Sequence, residues 1–505
     1  MSKTAPYRSI SKPSTEPEYS AGQLDPGYSP KKRNLKFLGM LIGVVLGITT
    51  FVITPESLSI DARATAGVGV LMGTWWITEA IPLAATALLP LVLFPLFGVA
   101  TLSDLGGNYA SSTILLFFGG FLVALALQRW NLHKRIALNI VLFVGTKPVR
   151  LVAGFMIATA LLGMWVSNTA TAMMMIPMGM SVVSLVEEQE LVPKRSKLGT
   201  GLIIAIAYAA TISAFGTIIG SPVNVVVASY IRETLGQDIT FLQWMSFGLP
   251  LVIVFLVIGW MVIALWLWRP ETKELRGGKE LFQKQLADMG PMCFGERLVG
   301  LLFLATAMSW ILVPLIFEDP VIDDATIAVM AGAATFLIPG KPRSGVMIMN
   351  WEATKDMPWG VLLLIGGGLA LSSQVTGTGL ADWIGSSLSG LSGLPQWALV
   401  GVVIVLLLTL TEFTSSTATA SAFVPVVGGI AVGLGQDPIV FAVAAGLACL
   451  CAFMLPVGTP PNAIAFASGS VNIPQMVRTG IWMNLVGLVL VAVTVLTVLP
   501  AVIGA

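Results

Sequence analysis

The hydrophobic positions of this chain neither alternate with polar ones nor recur every third or fourth residue; they run on. GMLIGVVLGITTFVIT (39–54) and LVIVFLVIGWMVIALWLW (251–268) are continuous apolar stretches, as expected of helices whose every side meets lipid or other helices. A membrane β-barrel would instead alternate apolar and polar residues along each strand. A bilayer core about 30 Å thick takes about 20 apolar residues as helix. Candidate spans of this kind begin near residues 37, 62, 83, 149, 198, 246, 298, 324, 397, 437 and 480. Two further apolar segments, STILLFFGGFLVALAL (112–127) and GVLLLIGGGLALSS (360–373), are short or broken by glycine and serine. They are predicted to be re-entrant hairpins over 112–140 and 360–385, with the glycines near the bend, a kinked ordinary span being the alternative. The predicted fold class is an all-α polytopic membrane protein with about 11 transmembrane helices plus two re-entrant hairpins.

The polar segments set the orientation. Residues 1–36 are rich in Ser, Pro and Lys and precede any apolar run, which describes a disordered cytoplasmic tail and excludes a cleaved signal peptide. Lys31, Lys32, Arg33 and Lys36 lie in this tail; Arg269, Lys273, Arg276, Lys279, Lys284 and Arg297 lie in or beside the polar loop 269–297. Cytoplasmic loops collect Lys and Arg, so both segments are placed inside. The terminal AVIGA carries no charge to hold it there, and an N-terminus inside with a C-terminus outside requires an odd number of crossings. Eleven fits.

Composition narrows the class of function. The chain has 505 residues, 56% hydrophobic and 10% charged, against roughly 25% charged in a soluble domain. A net charge of +1 gives no footprint for nucleic acid. Cys293, Cys449 and Cys451 suit neither a disulfide framework nor a metal site, and the last two read as small apolar packing. His133, the single histidine, sits in the basic run RWNLHKR and reads as interfacial rather than as a proton relay. Enzyme motifs of the HExxH and GxSxG kinds are absent.

One small phrase is written twice. SNTATAMMMIP (167–177) and SSTATASAFVP (415–425) share their offsets and close on proline. FFGGFLVALA (117–126) precedes the first as IGGGLALSSQ (365–374) precedes the second, and IGSPVN (219–224) follows it as VGTPPN (457–462) follows the other. The domains are thus a first repeat within 37–268 (hairpin 112–140, motif 167–169, GSPVN 220–224) and a second within 298–505 (hairpin 360–385, motif 415–417, GTPPN 458–462). An odd number of spans in the first would invert the halves about the membrane plane, as in secondary transporters. Ser and Asn favour helix N-caps, so each phrase predicts a helix that breaks and restarts in the membrane with its positive dipole end at a common point. Two such ends make an anion site without a cationic side chain, and no Lys or Arg falls near these motifs. Carbonyls at the breaks and at Gly220 and Gly458 are oxygen donors for Na⁺, with Pro222, Pro460 and Pro461 keeping those segments out of regular helix. Small residues packing helices together are the plainer explanation of one such phrase, but not of matched copies. Glu79 and Glu412 are the nearest acids; Glu412 is expected to bond backbone groups freed at the break rather than to carry protons, and Asp382 to be interfacial at a helix start.

WWITEAIPLAATALLP, MWVSNTATAMMMIP, LTEFTSSTATA and CAFMLPVGTPPNAI resemble the divalent anion/sodium symporters, from about residue 37 to the end. The resemblance implies a homodimer in the lipid bilayer of the bacterial inner membrane, with a fixed scaffold and a transport domain that moves across it like an elevator. It implies a sodium site at Ser167, Asn168 and Gly220 and a second at Thr411, Thr414, Ser416, Gly458 and Pro460. Asn168, Thr169, Ser221, Ser416, Thr417 and Thr459 are implied as contacts to the substrate's carboxylates. Three positions depart from the family pattern: Ser416 for asparagine, Gly163 where a serine can stand, and Val223 for proline. The expected activity is Na⁺-coupled symport of C4-dicarboxylates such as succinate, fumarate and malate; a sodium-independent dicarboxylate or 2-oxoglutarate exchanger and a citrate or sulfate carrier are the alternatives.

Overall fold

The computed structural model of the chain describes residues 27–188, 196–272, 274–275, 277–317, 321–387 and 393–504. Helices begin at Pro30, Ile60, Leu83, Pro148, Lys197, Phe241, Phe294, Asp324, Gln396, Pro438 and Ile473, within seven residues of every start expected from the apolar runs. Among the described residues eight helices are long and apolar enough to cross a membrane, and six more apolar helices run 10–17 residues. The first is α1 (Pro30–Ile53), so the tail is shorter than 1–36: helix starts at Pro30, with proline in the first turn, where its missing N–H costs nothing. Residues 1–26 of the expected tail lie outside the described residues, as do Lys273 and Arg276.

Helix α1 buries only Gly39, Gly43 and Gly47, and packs this stripe on α2 (Ile60–Thr78). A Cβ on Gly47 would stand 2.9 Å from the Gly67 carbonyl, and one on Gly67 equally near that of Gly47. Glycine is what allows the two backbones to approach in lipid. After α3 (Leu83–Thr86), α4 (Leu89–Phe97) and α5 (Leu102–Gly106) comes α6 (Ser112–Arg129), which corrects the first hairpin's bend. Its glycines lie inside an unbroken helix; the turn falls at Trp130–Asn131, where Asn131 has φ 56°, before α7 (Leu132–Val144). Gly119 and Gly120 serve packing instead: a Cβ on Gly119 would strike the backbone at Ala328. The second segment behaves alike.

The remaining helices fall into two matched series. The first is α8 (Pro148–Gly163), α9 (Asn168–Glu188), α10 (Lys197–Ser213), α11 (Pro222–Glu233) and α12 (Phe241–Trp260), the last continuing as π-helix over Met261–Leu267. A short helix α13 (Gly278–Asp288) lies in the polar loop, followed by α14 (Phe294–Ile316), α15 (Asp324–Leu337), a small antiparallel pair of β1 (Pro339–Lys341) with β2 (Val346–Met347), α16 (Trp359–Gly377) and α17 (Leu380–Ser387). Helix α16 likewise runs straight through Gly366–Gly368, and Gly379 at φ 77° makes the turn to α17, whose first turn holds Asp382. The second series is α18 (Gln396–Thr411), α19 (Ser416–Gly433), α20 (Pro438–Cys449), α21 (Pro460–Ala467) and α22 (Ile473–Val493), again with a π-helical extension, Thr494–Val498, before α23 (Leu499–Ile503). Both α12 and α22 open with a capping box, Thr240 with Gln243 and Asn472 with Gln475.

The core centres on α10 and α20. Every residue from Leu198 to Ser213 and from Ile439 to Cys449 is buried. Helices buried on all sides meet other helices rather than lipid. Tyr208 of α10 ties the series together, its hydroxyl donating to the Phe453 carbonyl at 2.6 Å and that of Met476 at 3.1 Å.

Candidate functional site

Four short helices stop where a full span would continue. At about 1.5 Å per residue, α8 and α18 with 16 residues reach about 24 Å, α10 with 17 about 26 Å and α20 with 12 about 18 Å, short of a 30 Å bilayer core. Each is followed by an irregular segment and then by the N-terminus of another helix. In the first series Ser167 caps α9, its hydroxyl accepting from Ala170 N at 3.2 Å. In the second Ser415 precedes α19 with its carbonyl accepting from Thr419 N at 2.9 Å. Ser221 caps α11 through Val223 N at 3.3 Å, and Thr459 caps α21 through Asn462 N at 3.4 Å.

These four helix starts surround one cavity of about 740 Å³. Asn168, Thr169, Ser221, Ser416, Thr417 and Thr459, the six expected carboxylate contacts, all line it. So do Thr414, Gly458 and Pro460 of the second expected sodium set, whereas Ser167, Gly220 and Thr411 stand behind the lining. Among the described residues no Lys, Arg or His borders it, and Glu79 is its one charged lining residue. The first-turn amides of a helix have no partner within it and carry the positive end of the dipole. An anion here meets N–H groups and hydroxyls rather than ammonium or guanidinium.

Behind each pair of N-termini lies a helix C-terminus rich in carbonyl oxygen. SAFGTIIGSPVN (213–224) after α10 and CAFMLPVGTPPN (451–462) after α20 correspond residue for residue. A Cβ on Gly220 would stand 3.1 Å from the Ala214 carbonyl, 3.2 Å from the Thr217 hydroxyl and 3.4 Å from the Ser213 carbonyl. One on Gly458 would stand 3.5 Å from the Leu455 carbonyl and 3.6 Å from the Glu412 carboxylate. Oxygens crowded at the negative end of a helix suit an alkali cation.

The halves differ in how they hold these segments. Glu412, fully buried, accepts from Phe453 N at 2.9 Å, Met454 N at 3.0 Å and Leu455 N at 3.1 Å, and from Asn484 Nδ2 at 2.6 Å. The expectation that Glu412 bonds amides freed at the break is met. In the first half Thr217 does the equivalent work, its hydroxyl donating to the Met164 carbonyl at 2.6 Å. Thr411 donates to Cys449 O at 3.0 Å and Ser416 Oγ at 3.1 Å, and Thr414 pairs with Thr419 at 2.7 Å. Two of the three departures have a physical account. The space beside Gly163 is filled by the Ser213 hydroxyl, so a serine oxygen reaches that spot from another helix. Val223 keeps the amide that caps onto Ser221, a donor proline would lack. Thr211, Ser213, Thr217 and Asn484 escaped the sequence reading; only the extended match between the two twelve-residue segments points to the middle two.

Broken helices, a polar cavity between matched halves and lipid-length apolar helices define a polytopic α-helical membrane protein built to hold a small anion. Residues 32–503 match the family described as sodium:sulfate symporter transmembrane region, and the chain belongs to that family. It is 39% identical over 492 residues to the sodium-dependent dicarboxylate transporter SdcS of Staphylococcus saprophyticus, covering 94% of this chain and 95% of that one. It is 38% identical over the same length to SdcS of Staphylococcus aureus, with the same coverage. Two solved structures share the fold: the YdaH transporter of Alcanivorax borkumensis (TM-score 0.53, 14% identity, 92% of this chain and 98% of that one) and MtrF of Neisseria gonorrhoeae (TM-score 0.55, 11% identity, 92% and 95%).

Proposed function

We propose that this protein is a Na⁺-coupled symporter of C4-dicarboxylates such as succinate, fumarate and malate in the bacterial cytoplasmic membrane. The observation that carries the reading is the cavity bounded by four helix N-termini without a cationic side chain. A dianion bound there meets fixed N–H dipoles at Asn168, Thr169, Ser416 and Thr417 and hydroxyls at Ser221 and Thr459. Its remaining charge is offset by cations, one held around Ser167, Asn168 and Gly220, and a second around Thr411, Thr414, Ser416, Gly458 and Pro460. Opposite charges a few ångströms apart in low dielectric lower each other's desolvation cost. Neither binds well alone, and that is the coupling. The names of the SdcS relatives support a dicarboxylate cargo and dependence on sodium. The protein works as a homodimer with its N-terminus inside and C-terminus outside, and a transport domain containing both hairpins and both serine-threonine motifs carries the site across a fixed scaffold.

Uptake of labelled succinate into proteoliposomes, with and without an inward Na⁺ gradient, tests the coupling. Uptake should require Na⁺ and be suppressed by malate and fumarate; equal uptake in its absence returns the exchanger reading.

A further inference from the structure

Two buried asparagines do the same thing in the two halves. Asn224, in the first turn of α11, donates from Nδ2 to the Ala214 carbonyl at 2.6 Å and the Thr217 carbonyl at 2.8 Å. Asn462, in the first turn of α21, donates from Nδ2 to the Ala452 carbonyl at 3.1 Å and the Leu455 carbonyl at 3.2 Å. The partners lie ten and seven residues upstream in both cases. Both side chains are fully buried, and both Oδ1 atoms have no partner. Exchanging N for O would set an oxygen against two carbonyl oxygens, so the donors must face the loop. A buried, unpaired carboxamide oxygen costs stability. Twice the fold accepts that cost to keep two donors on the same pair of carbonyls.

One carbonyl of each pair borders a glycine read above as a cation ligand. The Ala214 oxygen held by Asn224 lies 3.1 Å from a Cβ position on Gly220, and the Leu455 oxygen held by Asn462 lies 3.5 Å from one on Gly458. Each asparagine therefore pins the segment between a helix C-terminus and the next helix start from one side. Thr217 and Glu412 pin the same segments from the other side.

Building on the sodium reading, we infer that Asn224 and Asn462 are matched positioning residues, each clamping the carbonyl-bearing loop of one half into the geometry that accepts Na⁺. They act through the backbone and do not touch the ion. In metal sites generally, removing such an outer partner weakens binding on the order of 10–100-fold.

The test uses purified full-length protein in lipid nanodiscs, without dicarboxylate. Its melting temperature is followed as NaCl replaces choline chloride at constant ionic strength. For wild type the temperature rises with Na⁺; a flat response overturns the sodium reading itself. Asn224→Leu and Asn462→Leu, close in size and without donors, should each move the Na⁺ midpoint upward by about tenfold, while the untouched half keeps a wild-type component in the curve. Asn224→Asp and Asn462→Asp also lack the donors but add charge, and should weaken Na⁺ in the same way. A midpoint below wild type in the aspartates means that the side chain meets the cation directly and overturns the clamp. Unchanged midpoints with a uniformly lower melting temperature in choline mean a purely structural role and overturn it as well. Asn224→Ser and Asn462→Ser, which keep one donor, stand in where a leucine variant does not fold, with a midpoint between wild type and aspartate.

Discussion

Asn168 and Thr417 face the cavity from the first turns of α9 and α19 and are half-buried, with nothing of the core resting on them. Asn168→Ala and Thr417→Ala should therefore abolish dicarboxylate uptake while the amount of membrane-inserted protein stays at the wild-type level; uptake at the wild-type rate in either would remove it from the site. Glu79 poses a different question. It ends α2 in the left-handed region, at φ 46° and ψ 39°, with its carbonyl accepting from Lys36 Nζ at 2.6 Å. Only glycine takes that conformation freely, and another residue there costs about 1 kcal/mol. Glu79→Gly should raise the melting temperature. A fall would mean that the carboxylate at the cavity mouth contributes more to the fold than its backbone strain costs.

At the scale of elements, the amides of the loop after α20 gather on one carboxylate. Glu412 occupies the place that Met164 holds in the other half, and its oxygens accept three consecutive backbone N–H groups. In Glu412→Gln one oxygen becomes a donor facing donors, an arrangement worth about 2 kcal/mol of lost stability. Thermal unfolding of the purified variant should register this as a clear drop; an unshifted transition would exclude Glu412 as the anchor. The pairing of α6 with α15 depends on the missing side chain of Gly119, whose Cβ would meet the Ala328 backbone. Gly119→Val forces those helices apart at a cost of about 1–3 kcal/mol, so the yield of folded protein should fall, whereas Gly73→Ala, which meets nothing within 4 Å, should leave it unchanged.

At the scale of the whole molecule, the two matched series are joined through Tyr208, through Trp268 Nε1 donating to Thr479 Oγ1 at 2.8 Å, and through Thr211 and Thr459 hydroxyls 3.5 Å apart across the site. If the copies are inverted, the ends of the chain face opposite sides. A fluorescent protein that folds only in the cytoplasm should light up on the N-terminus and stay dark on the C-terminus, and alkaline phosphatase should do the reverse. The same signal from both ends would sink the inverted arrangement.

The apolar runs alone located helices close to every predicted start, because in lipid a span must satisfy its own backbone and so announces itself by length and composition. The doubled phrases marked where helices restart, and the six residues that the family resemblance offers as carboxylate contacts all line the cavity between those restarts. What only the tertiary structure decided are matters of contact between segments far apart in the chain. The glycines of α6 and α16 read as bends and are packing surfaces, a distinction set by Ala328 and by Tyr109 and Ala87, which no local pattern names. Ser213 filling the space beside Gly163, and two asparagines turning their donors onto carbonyls of the loops behind the cavity, belong to the same kind: periodicity reports which residues sit in the membrane, and the packing of one helix end against another decides what each polar atom meets.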